Sequence, residues 1–154
     1  MTCVSDNGKD YFSPESKMSR IDFLVTAMNV FGADNLPKVE STGFTDDESI
    51  PEKYKSYVYS AAKLGIVNGV ADGDGMRFDP NAYITRAEAC VMLNNIIGYE
   101  AKTVSEVAGA PAWANDSVCA MYELGVSSDD ALASSLTKED SADMLYKVSC
   151  LLGE

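Results

Sequence analysis

Three stretches of this chain repeat one another, and that self-similarity constrains the fold more than any single motif does. Phe12 to Gly32 lies over Phe78 to Gly98 at an offset of 66 without a gap. Phe12/Phe78, Pro14/Pro80, Arg20/Arg86, Val25/Val91, Asn29/Asn95 and Gly32/Gly98 are identical. The middle and last thirds align at an offset of 60, where Val58/Val118, Leu64/Leu124 and Gly65/Gly125 are identical. The offset then falls to 52, where Thr85, Met92 and Leu93 match Thr137, Met144 and Leu145. The third copy is therefore short by about eight residues, at the place of the Gly69-to-Pro80 loop of the second. Copies of this size are single supersecondary units that bury their apolar faces against one another.

Each copy carries the same local signal. Ser19-Arg-Ile-Asp22, Thr85-Arg-Ala-Glu88 and Thr137-Lys-Glu-Asp140 read as capping boxes. In such a box a hydroxyl at N-cap accepts from the N3 amide, and an acid at N3 reaches back to the N-cap amide. Asp is a shorter version of the usual Glu. An apolar stripe follows each box: Leu24, Ala27 and Phe31; Cys90, Leu93 and Ile97; Ala142, Leu145 and Ser149, with Val148 and Leu152 beside it. Gly32 and Gly98 end the first two of these helices. A second class of helix is predicted from about Lys53 to Leu64 and from Trp113 to Leu124, each opened by Pro51 or Pro111 and closed by Gly65 or Gly125. Val67 to Asn81, with Asn-Gly, two Asp-Gly pairs and Asp-Pro, reads as a loop of tight turns. No window gives a convincing strand. The expectation is an all-α chain of helix-loop-helix repeats.

Composition closes off several function classes. Asp and Glu number 24 against 12 Lys and Arg, for a net charge of −12. Nucleic acid is an unsuitable partner for such a surface. There is no His, which removes the Ser-His-Asp triad, the Cys-His dyad and the common zinc sites. Cys3, Cys90, Cys119 and Cys150 lack CxxC spacing. No apolar run approaches the roughly 18 to 20 residues of a spanning helix, so no membrane insertion is expected. Met1 to Asp10 has no apolar core of the signal-peptide kind. No nucleophile-base pair stands out, so no enzyme and no cofactor is expected.

The motifs resemble the S-layer homology domain. Its pattern is met in the middle copy by Phe44-Thr-Asp46, Gly65-Ile66, Asn68-Gly69, Asp72-Gly73, Phe78-Asp-Pro80 and Ile84-Thr-Arg-Ala-Glu88. The third copy is a weaker match, with Trp113 at the aromatic position. The first matches from Phe12 onward, its opening helix missing or replaced by Met1 to Tyr11. The resemblance implies repeats over 1–35, 36–100 and 101–154 that form one pseudo-threefold helical bundle. It also implies an extracellular place and non-covalent anchoring of a surface protein to the wall of Gram-positive-type bacteria. The implied ligand is a secondary cell-wall polysaccharide, often carrying pyruvate ketals, held in grooves between repeats near the T-R-A-E motifs.

The residues offer their own reason for an anion. The chain has only three Arg, and Arg20 and Arg86 both take the first position of a capped helix. Lys138 takes that position in the third copy. A cation there costs about 0.3 to 1 kcal/mol against the helix dipole. Free N–H groups, dipole and cation together would suit a carboxylate or phosphate, and Arg can clamp a carboxylate with two hydrogen bonds. Long-range repulsion from the −12 charge is screened within about 8 Å at physiological salt. The simpler alternative is that these cations pair with neighbouring acids.

Polysaccharide contact is accordingly expected at Arg86, Arg20, Lys138, Thr85, Trp113, Gly69 and Asp46. Each has a plainer structural reading. Trp113 can stack on a sugar face or pack between helices. Asp46, like Glu106, can accept sugar hydroxyls or cap the following helix, and capping is the stronger reading. Gly69, Gly73 and Gly75 are explained by turns. Asp72-Gly-Asp74-Gly opens like a calcium loop but lacks the closing Glu, so no metal is expected. Cys90, Cys119 and Cys150 read as buried free thiols, with a Cys119–Cys150 bridge as the alternative. A competing function is a module that binds another surface protein. The truncated first copy and the shortened third favour it, because a missing helix would leave apolar surface exposed.

Overall fold

The computed structural model describes residues 4–6, 9–11, 14–33, 35–127 and 131–153. Phe12 and Cys3 lie outside the described residues. The chain is mostly helical: α1 spans Arg20–Val30, α2 Lys55–Lys63, α3 Arg86–Ile97, α4 Asn115–Glu123 and α5 Lys138–Leu151. α1, α3 and α5 are the helices predicted after the three boxes. α2 and α4 are the predicted second class, each opened by a 3₁₀ turn, at Glu52–Tyr54 and Ala112–Ala114. Pro51 and Pro111 precede those turns, where a missing N–H is harmless.

Two short antiparallel hairpins correct the expectation of no strands. β1 (Val4–Asp6) pairs with β2 (Lys9–Tyr11) in the segment that stands where the first copy's opening helix would be. β3 (Val70–Asp72) pairs with β4 (Gly75–Arg77) inside the predicted loop. Gly73, at φ +59°, opens the two-residue connection. A positive φ at that position matches the right-handed twist of the strands. Three-residue strands are too short to show an alternating pattern, so periodicity does not betray them.

The boxes form to different degrees. Thr85 and Glu88 exchange both hydrogen bonds, and so do Thr137 and Asp140, so the shorter acid suffices there. Ser19 accepts from the Asp22 amide at 3.2 Å, the forward half of a box.

The residue just before each N-cap joins a closed ring. Ile84 donates its N–H to the Met18 carbonyl, Met18 to Leu136, and Leu136 to Ile84, each at 2.9 Å. Met18 and Ile84 are fully buried and Leu136 nearly so. The next amides are also spent between segments. Arg20 N–H donates to Ala82, Arg86 to Ser134 and Lys138 to Ser16. Ile21 donates to Pro80, Ala87 to Leu132 and Glu139 to Pro14. The three boxed segments are thus joined in cyclic order by backbone hydrogen bonds.

The core lies around this ring and between the helices. Phe23, Leu24, Phe78, Leu93, Met121 and Met144 are buried to 1% exposure or less. α1 packs on α2 and α3 on α4. α5 keeps Tyr146, Leu151 and Leu152 exposed. The cysteine expectation holds in part: Cys90 and Cys119 are buried free thiols, but Cys150 is free and exposed, and no Cys119–Cys150 bridge forms. Burial pushes the Cys90 thiol up to about 11. It is therefore an inert, neutral core group.

Candidate functional site

A groove of about 260 Å³ lies where segments from all three copies converge. The start of α1 supplies Arg20, the segment after α2 and the first residue of β3 supply Ile66 to Val70, α3 supplies Glu88, Val91 and Met92, and the turn before α4 supplies Trp113. Among the expected contact residues the structure brings together Arg20, Gly69 and Trp113. Thr85 stands beside them through Glu88.

The groove is polar at one end and apolar along its side. Arg20 is buried, and its guanidinium lies over the Phe78 ring. Its Nε donates to the Phe78 carbonyl at 3.0 Å, and Nη1 is ion-paired and hydrogen-bonded to Glu88. The second terminal nitrogen, Nη2, has no partner among the described residues. Glu88 Oε1 accepts from the Thr85 amide and hydroxyl, so one carboxylate closes the capping box and fixes the arginine of the preceding copy. Val91 and Met92 line the apolar side. Trp113 is 65% exposed. It does not pack between helices.

Two expectations about the helix starts need correction. The N–H groups at the starts of α1, α3 and α5 are not free for a ligand. Neighbouring carbonyls take the first two and the N-cap hydroxyl takes the third. Whatever binds here must use side chains. Asp46 neither caps a helix nor faces the groove: its two carboxylate oxygens accept the Phe78 and Asp79 amides at 2.8 Å each. It fastens the start of the second copy to its Phe-Asp-Pro turn, where Asp79 sits at φ +60°. That backbone orientation aims two successive amides at one carboxylate.

Gly69 is required by close approach. A Cβ there would lie 2.7 Å from the Arg77 carbonyl oxygen and 2.7 Å from the Phe44 ring. The glycine lets β3 start tightly against Phe44 and so shapes the groove edge.

The other cations sit elsewhere. Arg86 Nη2 lies 3.6 Å from Asp140, and Nη1 is 3.8 Å from the Met144 sulfur. Lys138 is only 5% exposed. Both arginines therefore pair with the N3 acid of the next box, the arrangement the simpler reading anticipates.

Two carboxylates missed in the sequence hold loops. Glu123 accepts from the Lys102 and Thr103 amides, the Thr103 hydroxyl and the Tyr99 hydroxyl. The Thr103 hydroxyl, the Lys102 amide and Tyr99 pull its carboxyl down from 4.5 to about 2. At Asp47 burial works upward, but the Lys55 ammonium and the Thr42 amide and hydroxyl outweigh it and bring the carboxyl to about 2. Nothing local marks Glu123, because its partners lie 20 to 24 positions away in sequence, whereas those of Asp47 are its near neighbours Thr42 and Lys55. Among the described residues, no group of His, Cys, Asp and Glu is placed to hold a metal ion, and no helix is long and apolar enough to cross a membrane.

The groove thus brings an arginine, a paired carboxylate and an exposed tryptophan together on a helical scaffold. Residues 43–90 match the model of the S-layer homology domain, so that segment carries the pattern of this family. Such a domain is a non-catalytic module that binds cell-wall polymers and anchors surface proteins, which puts the chain outside the cell, at its surface. The chain is 32% identical over 97 residues to exoglucanase XynX of Acetivibrio thermocellus. It is 33% identical over 97 residues to an amylopullulanase of Thermoanaerobacterium thermosulfurigenes. Each match covers 61% of this chain but only 9% and 5% of those proteins.

Proposed function

We propose that this chain anchors a surface protein to the bacterial cell wall by binding an anionic, pyruvylated secondary cell-wall polysaccharide in a groove between repeats. The repeats are 1–35, 36–100 and 101–154, arranged as one pseudo-threefold S-layer homology bundle. The cyclic Met18–Ile84–Leu136 ring supports that arrangement. The observation that carries the ligand is the meeting of the Arg20 guanidinium and the exposed Trp113 ring in one groove. Arg20 Nη2 can donate to a ketal carboxylate. The indole can cover an apolar sugar face. The experiment is co-sedimentation with purified, protein-free walls, intact or chemically stripped of the pyruvylated polysaccharide. The chain should pellet with intact walls and stay in solution with stripped ones. Equal behaviour with both would remove the polysaccharide from the reading.

A second reading, a module that docks on another surface protein, draws on the exposed Tyr146, Leu151 and Leu152 of α5. α1 and α3 each pack against the first helix of the next copy, and α5 has no such neighbour within 14–153 among the described residues. Wall binding unchanged by Tyr146→Ser with Leu151→Ser would set this reading aside.

A further inference from the structure

We infer that this chain carries a single polysaccharide site, the Arg20 groove, and that the aligned position at Arg86 does not take the same ligand. The inference rests on the anchoring reading above and adds its valency. The three cations are equivalent by alignment and by backbone bonding, so three equivalent grooves are the simple expectation. What surrounds each cation differs.

At Arg20 the acid partner is Glu88, long enough for direct contact with Nη1. One turn on, α3 presents Val91 and Met92, and Trp113 closes the far side. At Arg86 the partner is the shorter Asp140, 3.6 Å away, and Met144 takes the place of Met92. The position aligned with Val91 is Asp143, which is exposed and ion-paired to Lys147 at 2.7 Å. Asp143 lies three residues after Asp140, on the same face of α5. A sugar laid on that face would have to strip water from a carboxylate and hold its own anion beside it, and both costs oppose binding. The tryptophan wall is also specific to the first groove. Trp113 aligns with Lys53 in the second copy, and no residue of this chain aligns with it in the first. At the third position the cation is Lys138, a point charge that lacks the second terminal nitrogen through which Arg20 meets an anion.

The same contacts describe what the Arg20 site accepts. Nε and Nη1 are already committed, so the guanidinium meets an anion through Nη2 rather than as a two-pronged clamp. The ligand is one carboxylate-bearing sugar, its charge at Arg20 and its apolar face along Val91 and Trp113.

Isothermal titration of the whole chain with an oligosaccharide bearing one pyruvate ketal tests this. One ligand should bind per chain. Trp113→Ala and Val91→Asp should each weaken binding tenfold or more, and Arg86→Gln should change it less than twofold at unchanged stoichiometry. Two or three ligands per folded wild-type chain would overturn the single site while leaving the anchoring function intact. So would an Arg86→Gln loss matching that of Val91→Asp, with the far-ultraviolet circular dichroism of wild type retained. A folded wild type that binds none would overturn the polysaccharide reading, and the valency with it. The wild-type stoichiometry decides the question even if a variant folds poorly.

Discussion

Arg20 and Arg86 stand at the same aligned position. Each donates its backbone N–H to a carbonyl three residues before the next N-cap, and each turns its guanidinium toward the N3 acid of the next box. Around one lies a groove walled by valine, methionine and tryptophan; around the other lies a helix face bearing Asp140 and Asp143. The backbone scheme has been kept and the side chains around the two arginines have not. Repetition preserves what holds the copies together and leaves the residues outside the ring free to differ.

The largest expected effect falls on what the two arginine positions share. Ile84→Ala removes a fully buried side chain from the ring and should cost about 2–5 kcal/mol. Urea denaturation should show it, and both positions should suffer together. A loss under 1 kcal/mol would mean that the ring is held by its backbone bonds alone.

Caps separate the copies. Thr85→Ala removes a complete box and should cost about 1 kcal/mol, within a range of roughly 0.5–2. Ser19→Ala removes only the forward bond and should cost less, by the same denaturation measurement. Equal losses would show that the reciprocal bond from the acid adds nothing.

Acid should act on loops rather than on either arginine. Asp47 and Glu123 have carboxyls lowered from 3.8 and 4.5 to about 2. The unfolded chain binds more protons than the folded one between about pH 4.5 and 2, so stability is present above that window and is lost as pH falls through it. Asp47→Asn and Glu123→Gln should each flatten the decline of the urea midpoint over that range. An unchanged slope in both variants would assign the acid sensitivity to other carboxylates.

The smallest effect is expected at Arg77, whose pairing with Asp79 at 3.0 Å is largely open to water. Arg77→Ala should shift stability by less than about 1 kcal/mol and leave wall binding unchanged. A larger loss would mean that the β3–β4 hairpin supports the groove more than its exposure suggests.

Much of the fold was legible because its determinants are local. A hydroxyl and an acid three residues apart, an apolar stripe at helical spacing and a closing glycine act within one or two turns, and α1, α3 and α5 begin at the positions they mark. The hairpins were not legible, because three residues are too few for a period to register. The site was legible in part. Arg20, Gly69 and Trp113 were chosen and do meet, but Asp46 was assigned to the wrong partner and the helix-start amides were taken to be open.

By itself the sequence determined the three boxed helices, the absence of histidine chemistry, and the family pattern of the middle copy. All of these are carried by residue identity or by spacings of a few positions. Only the tertiary structure decided that the ring consumes the helix-start amides, and that Trp113 stands in the groove of Arg20, 93 positions before it in the chain. Those are contacts between copies, set by how three units close on a shared core, and no periodicity within one unit encodes them.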